Sequence, residues 1–166
     1  METSSPAVPA PSFWSRKIAG PILAQLRQGI TPEKIALTLA MGFVLGLFPI
    51  LGATTALCGA AAYCFRLNQA LIQLVNYLAS PVHLALLLVF YRAGESLFGQ
   101  EHLPLSIPML AERFQAGPWQ FLSDFGQIGL QGVVVWLLVA PVAMGLLYFL
   151  LRPLLRRAAQ RMHSPL

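Results

Sequence analysis

The chain has 166 residues, of which 57% are apolar and only 10% are charged, and its formal net charge is +5. This composition lies far outside the range of soluble globular proteins, so it argues against a soluble enzyme or a soluble binding domain. The basic residues flank apolar segments and form no stripe interleaved with aromatic residues, which argues against a nucleic-acid partner. We therefore expect the lipid bilayer to be the chain's main partner.

Three intervals carry no charged residue, and each exceeds the roughly 20 residues that a membrane-spanning helix needs. They are residues 35–65, 67–91 and 125–151. The sequence thus predicts an all-α, polytopic membrane protein. We expect a broken, re-entrant helical hairpin, two transmembrane helices and interfacial amphipathic helices.

The first 30 residues precede the predicted membrane domain. Residues 1–12 are rich in proline, alanine and serine and predict a disordered tail. Residues 13–30 alternate apolar side chains with Arg16, Lys17 and Arg27, which is typical of a helix lying on an anionic membrane surface.

A core membrane domain is predicted over residues 31–99, and its first helix is expected to begin at Thr31-Pro32-Glu33. That helix cannot run unbroken to residue 65, because Pro49 and Gly52 interrupt it and proline costs about 3 kcal/mol inside a helix. Each half then has about 15 residues, or roughly 22 Å, which is short of the ~30 Å hydrocarbon core. We expect a hairpin that enters and leaves one face. The alternative is a pair of tightly turned full crossings through thinned bilayer, with the same cytoplasmic ends.

The distribution of charge predicts the orientation through the positive-inside rule. Basic residues precede the hairpin, follow it, and form a tail over residues 153–166, whereas acidic residues dominate the connection 100–124, which is expected to be interfacial and non-cytoplasmic. Residues 67–91 then cross outward and residues 125–152 return. The prediction is a multi-pass protein of the cell inner membrane with both termini in the cytoplasm.

The break is the first candidate functional feature. Gly52, Thr54 and Thr55 would open the second half-helix with unpaired backbone N–H groups, which attract anions. Broken helices that meet in mid-membrane form binding sites in many transporters. A structural interpretation is equally open, in which Thr54 or Thr55 caps the helix internally.

A row of polar residues along the next helix is the second candidate feature. Its members share one helical face: Gln69, Gln73, Asn76, Ser80 and His83. This face is expected to meet the hairpin, a second subunit or a cavity, and interhelical hydrogen bonding alone would explain it. At Ser80-Pro81 a second half-helix is predicted to start, with its positive end near the first.

Small residues at four-residue spacing are candidates for close helix packing: Gly42, Gly46, Gly52, Ala56 and Ala60. Tight packing within the hairpin is favoured over a dimer, although both remain open. Neither cysteine has a partner at metal-ligand or disulfide spacing, so no metal and no cofactor is expected.

The runs GFVLGLFPILGATT, FRLNQALIQLVNYLASP and FYRAG resemble the bacterial membrane family catalogued as domain of unknown function 2062. The resemblance covers the segment from Thr31 to Gly99 and implies a proline and a glycine at the break, followed by Arg66-Leu67-Asn68 before the next helix. Ser80 departs from the family's usual asparagine. Some relatives look like fusions to lipid-linked glycosyltransferases, which implies lipid-related work.

These features predict transport or handling of a lipid or a small anionic solute at half-helix ends. The alternative is a membrane scaffold without transport activity, bound to another membrane protein or to a second copy of the chain. We expect no enzyme, because the acidic residues lie outside the apolar segments and no catalytic motif is present. The candidate ligand-binding residues are Pro49, Gly52, Thr54, Thr55, Asn68, Gln73, Asn76, Ser80, Pro81 and His83.

Overall fold

The computed structural model describes residues 20, 22, 30–50, 52–100, 112 and 115–163. Within these ranges the chain forms four helices and no strand. They are α1 (Pro32–Gly46), α2 (Ala53–Cys64), α3 (Gln69–Leu97) and α4 (Pro118–His163). The all-α class is therefore confirmed. The predicted tail 1–12 and most of the predicted interfacial helix 13–30 and of the connection 100–124 lie outside the described residues.

Helix α1 begins where the sequence predicts it. The Thr31 hydroxyl accepts a hydrogen bond from the backbone N–H of Lys34 at 3.4 Å, and Pro32 occupies the first turn, where its missing N–H costs nothing. Glu33 places a carboxylate beside the positive end of the helix dipole. The cap, the proline and the carboxylate together fix the start of the helix.

The break between α1 and α2 is confirmed. Helix α1 ends at Gly46, and α2 starts only after Gly52, whose backbone is left-handed with a φ of 86°. A φ in this region strains any residue with a Cβ, so glycine suits this position. Pro49 between them is fully buried. The side chains of Thr54 and Thr55 do not cap α2, because its N-cap is Gly52 and no side-chain cap bond is made. The interpretation in which one of these threonines caps the helix, which the sequence left open, has no cap bond to support it.

The corner between α2 and α3 is built by three consecutive residues. Arg66 has a left-handed φ of 51°, its N–H donates to the carbonyl of Tyr63, and the N–H of Leu67 donates to the carbonyl of Ala62 at 2.9 Å. This pair of bonds is a Schellman motif, which closes the end of α2. The side chain of Asn68 then accepts from the N–H of Leu71 at 2.8 Å and caps α3.

Helix α3 runs without interruption from Gln69 to Leu97, through Pro81. The predicted second half-helix at Ser80-Pro81 is therefore wrong, and with it the expected convergence of two positive helix ends. Proline removes one backbone hydrogen bond, and membrane helices tolerate this where side chains compensate locally. Pro81 itself is exposed, and the neighbouring Ser80 hydroxyl bonds to the carbonyl of Asn76 at 3.4 Å, one residue before the carbonyl of Tyr77 that the proline leaves without its N–H donor.

Helix α4 has 46 residues and contains Pro141 and Pro153. It includes the whole of the predicted crossing 125–152. Residues 118–124, which belong to the connection predicted over 100–124, form its first turns. At 1.5 Å per residue the helix is about 69 Å long, more than twice the thickness of a hydrocarbon core.

Close contacts define the relative directions of the helices. Gly42 lies against Ile72 and Gly46 against Asn76, so α1 runs parallel to α3. Helix α2 runs the opposite way, because its early residue Thr55 bonds to Asn76 whereas the later Gly59 lies beside Gln69. Helix α4 is antiparallel to α1, with its C-terminal arginines beside Glu33 and Trp136 beside Val44. Helices α1, α3 and α4 all pack on one another, and α2 packs on α1 and α3.

The small residues of α1 serve the interface with α3. A Cβ on Gly42 would stand 2.9 Å from the carbonyl oxygen of Ile72, and a Cβ on Gly46 would stand 3.0 Å from the Asn76 side chain. The prediction that these glycines pack within the hairpin is therefore wrong, because both face α3 and not α2. Ala56 and Ala60 are exposed and take no part in this interface.

Two helices are long and apolar enough to cross a membrane. These segments are Gln69–Leu97 and Phe125–Arg161, and only 17% and 11% of their most apolar stretches are buried within the protein. A core helix of a soluble protein would be mostly buried. The exposed surface of both helices is instead dominated by large aliphatic and aromatic side chains. These properties point to association with a membrane.

Candidate functional site

Ring donors from the two long helices reach the last turn of α1 and the unwound segment that follows it. The indole N–H of Trp136 donates to the carbonyl of Val44 at 3.2 Å, and the hydroxyl of Tyr91 donates to the carbonyl of Pro49 at 2.9 Å. The Trp136 ring also stands edge-on to Phe48, with 5.1 Å between the ring centroids. Tyr91 thereby satisfies a carbonyl of the unwound segment, and Trp136 adds a second donor to the carbonyl of Val44, which also accepts from the N–H of Leu47.

The polar face of α3 meets α2, as the sequence predicts. The Gln73 side-chain amide donates to the backbone carbonyl of Thr55 at 2.9 Å. The Asn76 amide donates to the Thr55 hydroxyl at 3.5 Å and to the Gln73 side-chain oxygen at 3.2 Å. Asn76 is buried, whereas Gln73 is half-buried and Thr55 is exposed. The structure therefore brings three of the predicted residues into one hydrogen-bonded group, which we call the Thr55 cluster.

Other predicted ligand residues have local structural partners. The oxygen of Asn68 is used in capping α3, and the Ser80 hydroxyl is bonded to the backbone of its own helix. Pro49 is buried beneath Tyr91, and Pro81 is exposed away from any break. These four residues do not converge with the Thr55 cluster.

His83 is buried in α3 beside the unwound segment, 6% exposed, and its imidazole faces the backbone of Phe48. Its Nε2 has no hydrogen-bond partner within the described part of the chain. Gln131 in α4 is similar, 5% exposed with an unpartnered Oε1. A buried polar atom without a partner costs about 1–3 kcal/mol, which a water molecule can offset.

The start of α2 is open and polar. Gly52 is exposed, and apart from its chain neighbours no atom of the described residues lies within 4 Å of the position that a Cβ would take. Thr54, in the first turn of α2, is buried. The backbone N–H of Ala53 bonds to the carbonyl of Ile50 at 3.3 Å. The next N–H groups belong to the first turn of a helix and have no partner within α2 itself. This end of α2 therefore has the electrostatic character that favours an anion.

Basic residues gather at the opposite end of the hairpin. The Glu33 carboxylate pairs with Arg156 at 2.5 Å and lies 3.7 Å from the Nε of Arg152. Its pKa is lowered, first by a hydrogen bond at its own backbone N–H and then by the bond from Arg156. These contacts join the start of α1 to the end of α4, where Lys34, Arg157 and Arg161 add further cations. Arg66 adds one more at the end of α2.

Sequence reasoning missed the residues that hold the break in place. Tyr91 and Trp136 lie far from the break along the chain, and no periodic pattern links them to it. Gly94 and Gly132, at which α3 and α4 approach closely, were also missed. The available signal is chemical, since tyrosine and tryptophan inside apolar helices usually find a partner for their polar atom. Among the described residues no group of three or more His, Cys, Asp or Glu side chains is arranged to hold a metal ion.

The fold and the exposed apolar helices define an all-helical protein with two segments able to cross a membrane. A comparison with protein families matches residues 16–164 to the family described as an uncharacterized protein conserved in bacteria, DUF2062. The chain belongs to this family. Neither the curated proteins nor the solved structures provide a significant match.

Proposed function

We propose that this chain is a multi-pass protein of the bacterial inner membrane that handles a lipid or a small anionic solute at the start of α2. The observation that carries the proposal is the open N-terminus of α2 beside the Thr55 cluster, partway along α3. Such an arrangement combines a positive helix end with amide donors inside an apolar protein.

The positions of the helix ends support a re-entrant hairpin. Helix α1 has 15 residues and α2 has 12, so they are about 22 Å and 18 Å long and shorter than the hydrocarbon core. They run in opposite directions along α3, and the basic residues Lys34 and Arg66 lie at the same end of the bundle as the arginines of α4. By the positive-inside rule this end faces the cytoplasm, as do both termini.

The distribution of polar groups supports an anionic ligand. Gln73 is only half-buried and Thr55 and Gly52 are exposed, so an incoming solute has access to the group. An anion can accept hydrogen bonds from the first N–H groups of α2 without the burial of a new positive charge. The proposal requires no catalytic step, and among the described residues around the break no nucleophile is paired with a base.

The alternative function is a scaffold, and the hydrogen bonds donated by the Trp136 and Tyr91 side chains favour it. Trp136 and Tyr91 attach the unwound segment to both long helices, which holds the break in one arrangement. A scaffold needs this rigidity and no ligand. Its partner would be another membrane protein or a second copy of the chain.

Flux measurements in liposomes separate the two functions. The purified protein is reconstituted, and the movement of a fluorescent phospholipid and of chloride, phosphate and acetate is followed. We expect protein-dependent flux of at least one of these probes. Gln73→Leu, which removes the donor to Thr55, is expected to reduce it, whereas Gln127→Leu, an exposed glutamine on α4, is expected to leave it unchanged. Absence of flux for every probe, together with copurification of one fixed membrane protein, would favour the scaffold.

A further inference from the structure

A second polar feature lies at the opposite end of α2 from the Thr55 cluster. A cavity of about 730 Å³ opens at the corner between α2 and α3. The residues that line it include Arg66, Gln69 and Tyr63, which carry polar groups, together with the apolar Ala62 and Leu67. This is large enough for a phosphate group and the glycerol carbons next to it.

The charge within the cavity is positive. Arg66 supplies one cation, and no carboxylate is present among the described residues that line it. The guanidinium group presents several N–H donors in one plane, which matches the oxygens of a phosphate. Gln69 adds an uncharged donor at the first position of α3. The electrostatic preference is therefore for a phosphate and against a cation.

Aromatic side chains flank the corner. Tyr63 is 87% exposed and Phe65 is 56% exposed, on either side of Cys64. Exposed tyrosine and phenylalanine beside an arginine are typical of the boundary between the headgroups and the acyl chains of a bilayer. The cavity also lies at the basic end of the bundle, with Arg66 at the end of the short helix α2.

We propose that the cavity at the α2–α3 corner binds the phosphate of an anionic phospholipid, with Arg66 as its main partner. This inference rests on the membrane placement of the chain and not on transport at the Thr55 cluster. The occupant is a lipid because the cavity combines an arginine with the exposed Tyr63 and with the apolar lining residues Ala62 and Leu67. A soluble phosphate would gain nothing from the apolar part of the wall.

Cys64 provides a native reporter, because it lines the cavity and is exposed, whereas Cys58 is fully buried. The protein is reconstituted in vesicles of phosphatidylcholine alone, or with one third phosphatidylglycerol, and alkylation of Cys64 by the uncharged reagent N-ethylmaleimide is followed by mass spectrometry. Only the unoccupied fraction reacts, so a site that is about 80% filled slows the reaction roughly fivefold. We expect slowing of this size in the vesicles that contain phosphatidylglycerol.

Substitutions of Arg66 separate binding from folding. Arg66→Gly removes the guanidinium but favours the left-handed backbone at this position, so the corner stays folded. We expect the protection by phosphatidylglycerol to disappear in Arg66→Gly, to be partly retained in Arg66→Lys, and to be unchanged in Arg157→Gln, an exposed arginine that does not line the cavity. Equal slowing in the wild type and in Arg66→Gly would overturn the proposal, because it would reflect a general effect of the anionic surface.

A separate experiment distinguishes binding of the lipid from binding of free phosphate. Inorganic phosphate is added to the protein in pure phosphatidylcholine vesicles at constant ionic strength. We expect it to leave alkylation of Cys64 unchanged. Protection by inorganic phosphate without protection by phosphatidylglycerol would overturn the assignment to a lipid. The flux experiment uses different residues, so loss of flux in Gln73→Leu and loss of protection in Arg66→Gly are independent results.

Discussion

The hydroxyl of Tyr91 donates a hydrogen bond to the carbonyl oxygen of Pro49, with 2.9 Å between the two oxygens. Gly132 of α4 lies against the same ring, and a Cβ at this position would stand only 2.8 Å from the Cδ1 of Tyr91. Tyr91 thus lies between the unwound segment and α4. One side chain joins the break to both of the long helices, and the break is held in place by this contact and by Trp136.

Replacing Tyr91 by phenylalanine tests this relationship. Pro49 is fully buried, so its carbonyl would lose its hydrogen-bond partner in an apolar setting. We expect a loss of about 1 kcal/mol, or roughly 3 °C in the midpoint of thermal unfolding in detergent. Tyr77→Phe is the matched control on the same helix, because Tyr77 is 61% exposed. Equal midpoints for the two variants would show that the bond contributes nothing to stability.

Gly94 provides a test of the contact between α3 and α4. A Cβ at this position would stand 2.9 Å from the backbone carbon of Gln131, and backbone atoms cannot move aside cheaply. Gly94→Ala should therefore lower the free energy of unfolding by about 1–3 kcal/mol. Gly129→Ala in α4 meets open space and should stabilise the helix by up to about 1 kcal/mol. Thermal unfolding in detergent measures both, and a stable Gly94→Ala variant would mean that the two helices are further apart than described.

Arg66 has a left-handed backbone that costs a residue with a side chain about 1 kcal/mol relative to glycine. We therefore expect Arg66→Gly to raise the midpoint of thermal unfolding, even though it removes a charge. Arg157→Gln removes the same charge from a regular helical position and should leave the midpoint nearly unchanged. A lower midpoint for Arg66→Gly would mean that the arginine side chain has a stabilising contact which outweighs its strained backbone.

The ion pair at the basic end predicts a dependence of stability on pH. Because the pKa of Glu33 in the folded protein lies below the ordinary value of 4.5, its ionised form stabilises the fold above about that pH. This contribution is lost as the pH falls through the lowered pKa. The pair is half-exposed, so we expect roughly 0.5 kcal/mol from it. The difference in unfolding midpoint between the wild type and Glu33→Gln should be constant from pH 7 to about 5 and should shrink in more acidic buffer. A difference that grows with acid would contradict this sign.

Local chemistry made parts of the fold predictable from sequence. Thr31, Pro32 and Glu33 determine the start of α1 through interactions within one turn, and Pro49 and Gly52 exclude a continuous helix through the break. The shared polar face of α3 followed from helical periodicity alone. In each case the residues that decide the structure are neighbours in the sequence or one helical turn apart.

The predictions that the structure contradicts depend on which helices pack against each other. Pro81 resembles Pro49 in the sequence, but α3 continues through it, and Pro81 lies exposed on the surface of the helix whereas Pro49 is fully buried. The direction in which Gly42 and Gly46 face depends on which helix packs against α1, and spacing does not specify this. The donors Trp136 and Tyr91 lie 92 and 42 positions from their acceptors, so only the assembled fold identifies them.

The membrane placement of the hairpin is tested most directly by labelling from each side of the bilayer. Single cysteines are placed at positions 34, 66 and 157 in a variant with Cys58 and Cys64 replaced by alanine, and an impermeant maleimide is applied to right-side-out and inside-out vesicles. Our account predicts that all three positions react only from the cytoplasmic side. Reaction of positions 34 and 66 from opposite sides would contradict the re-entrant hairpin and the site proposed at its break.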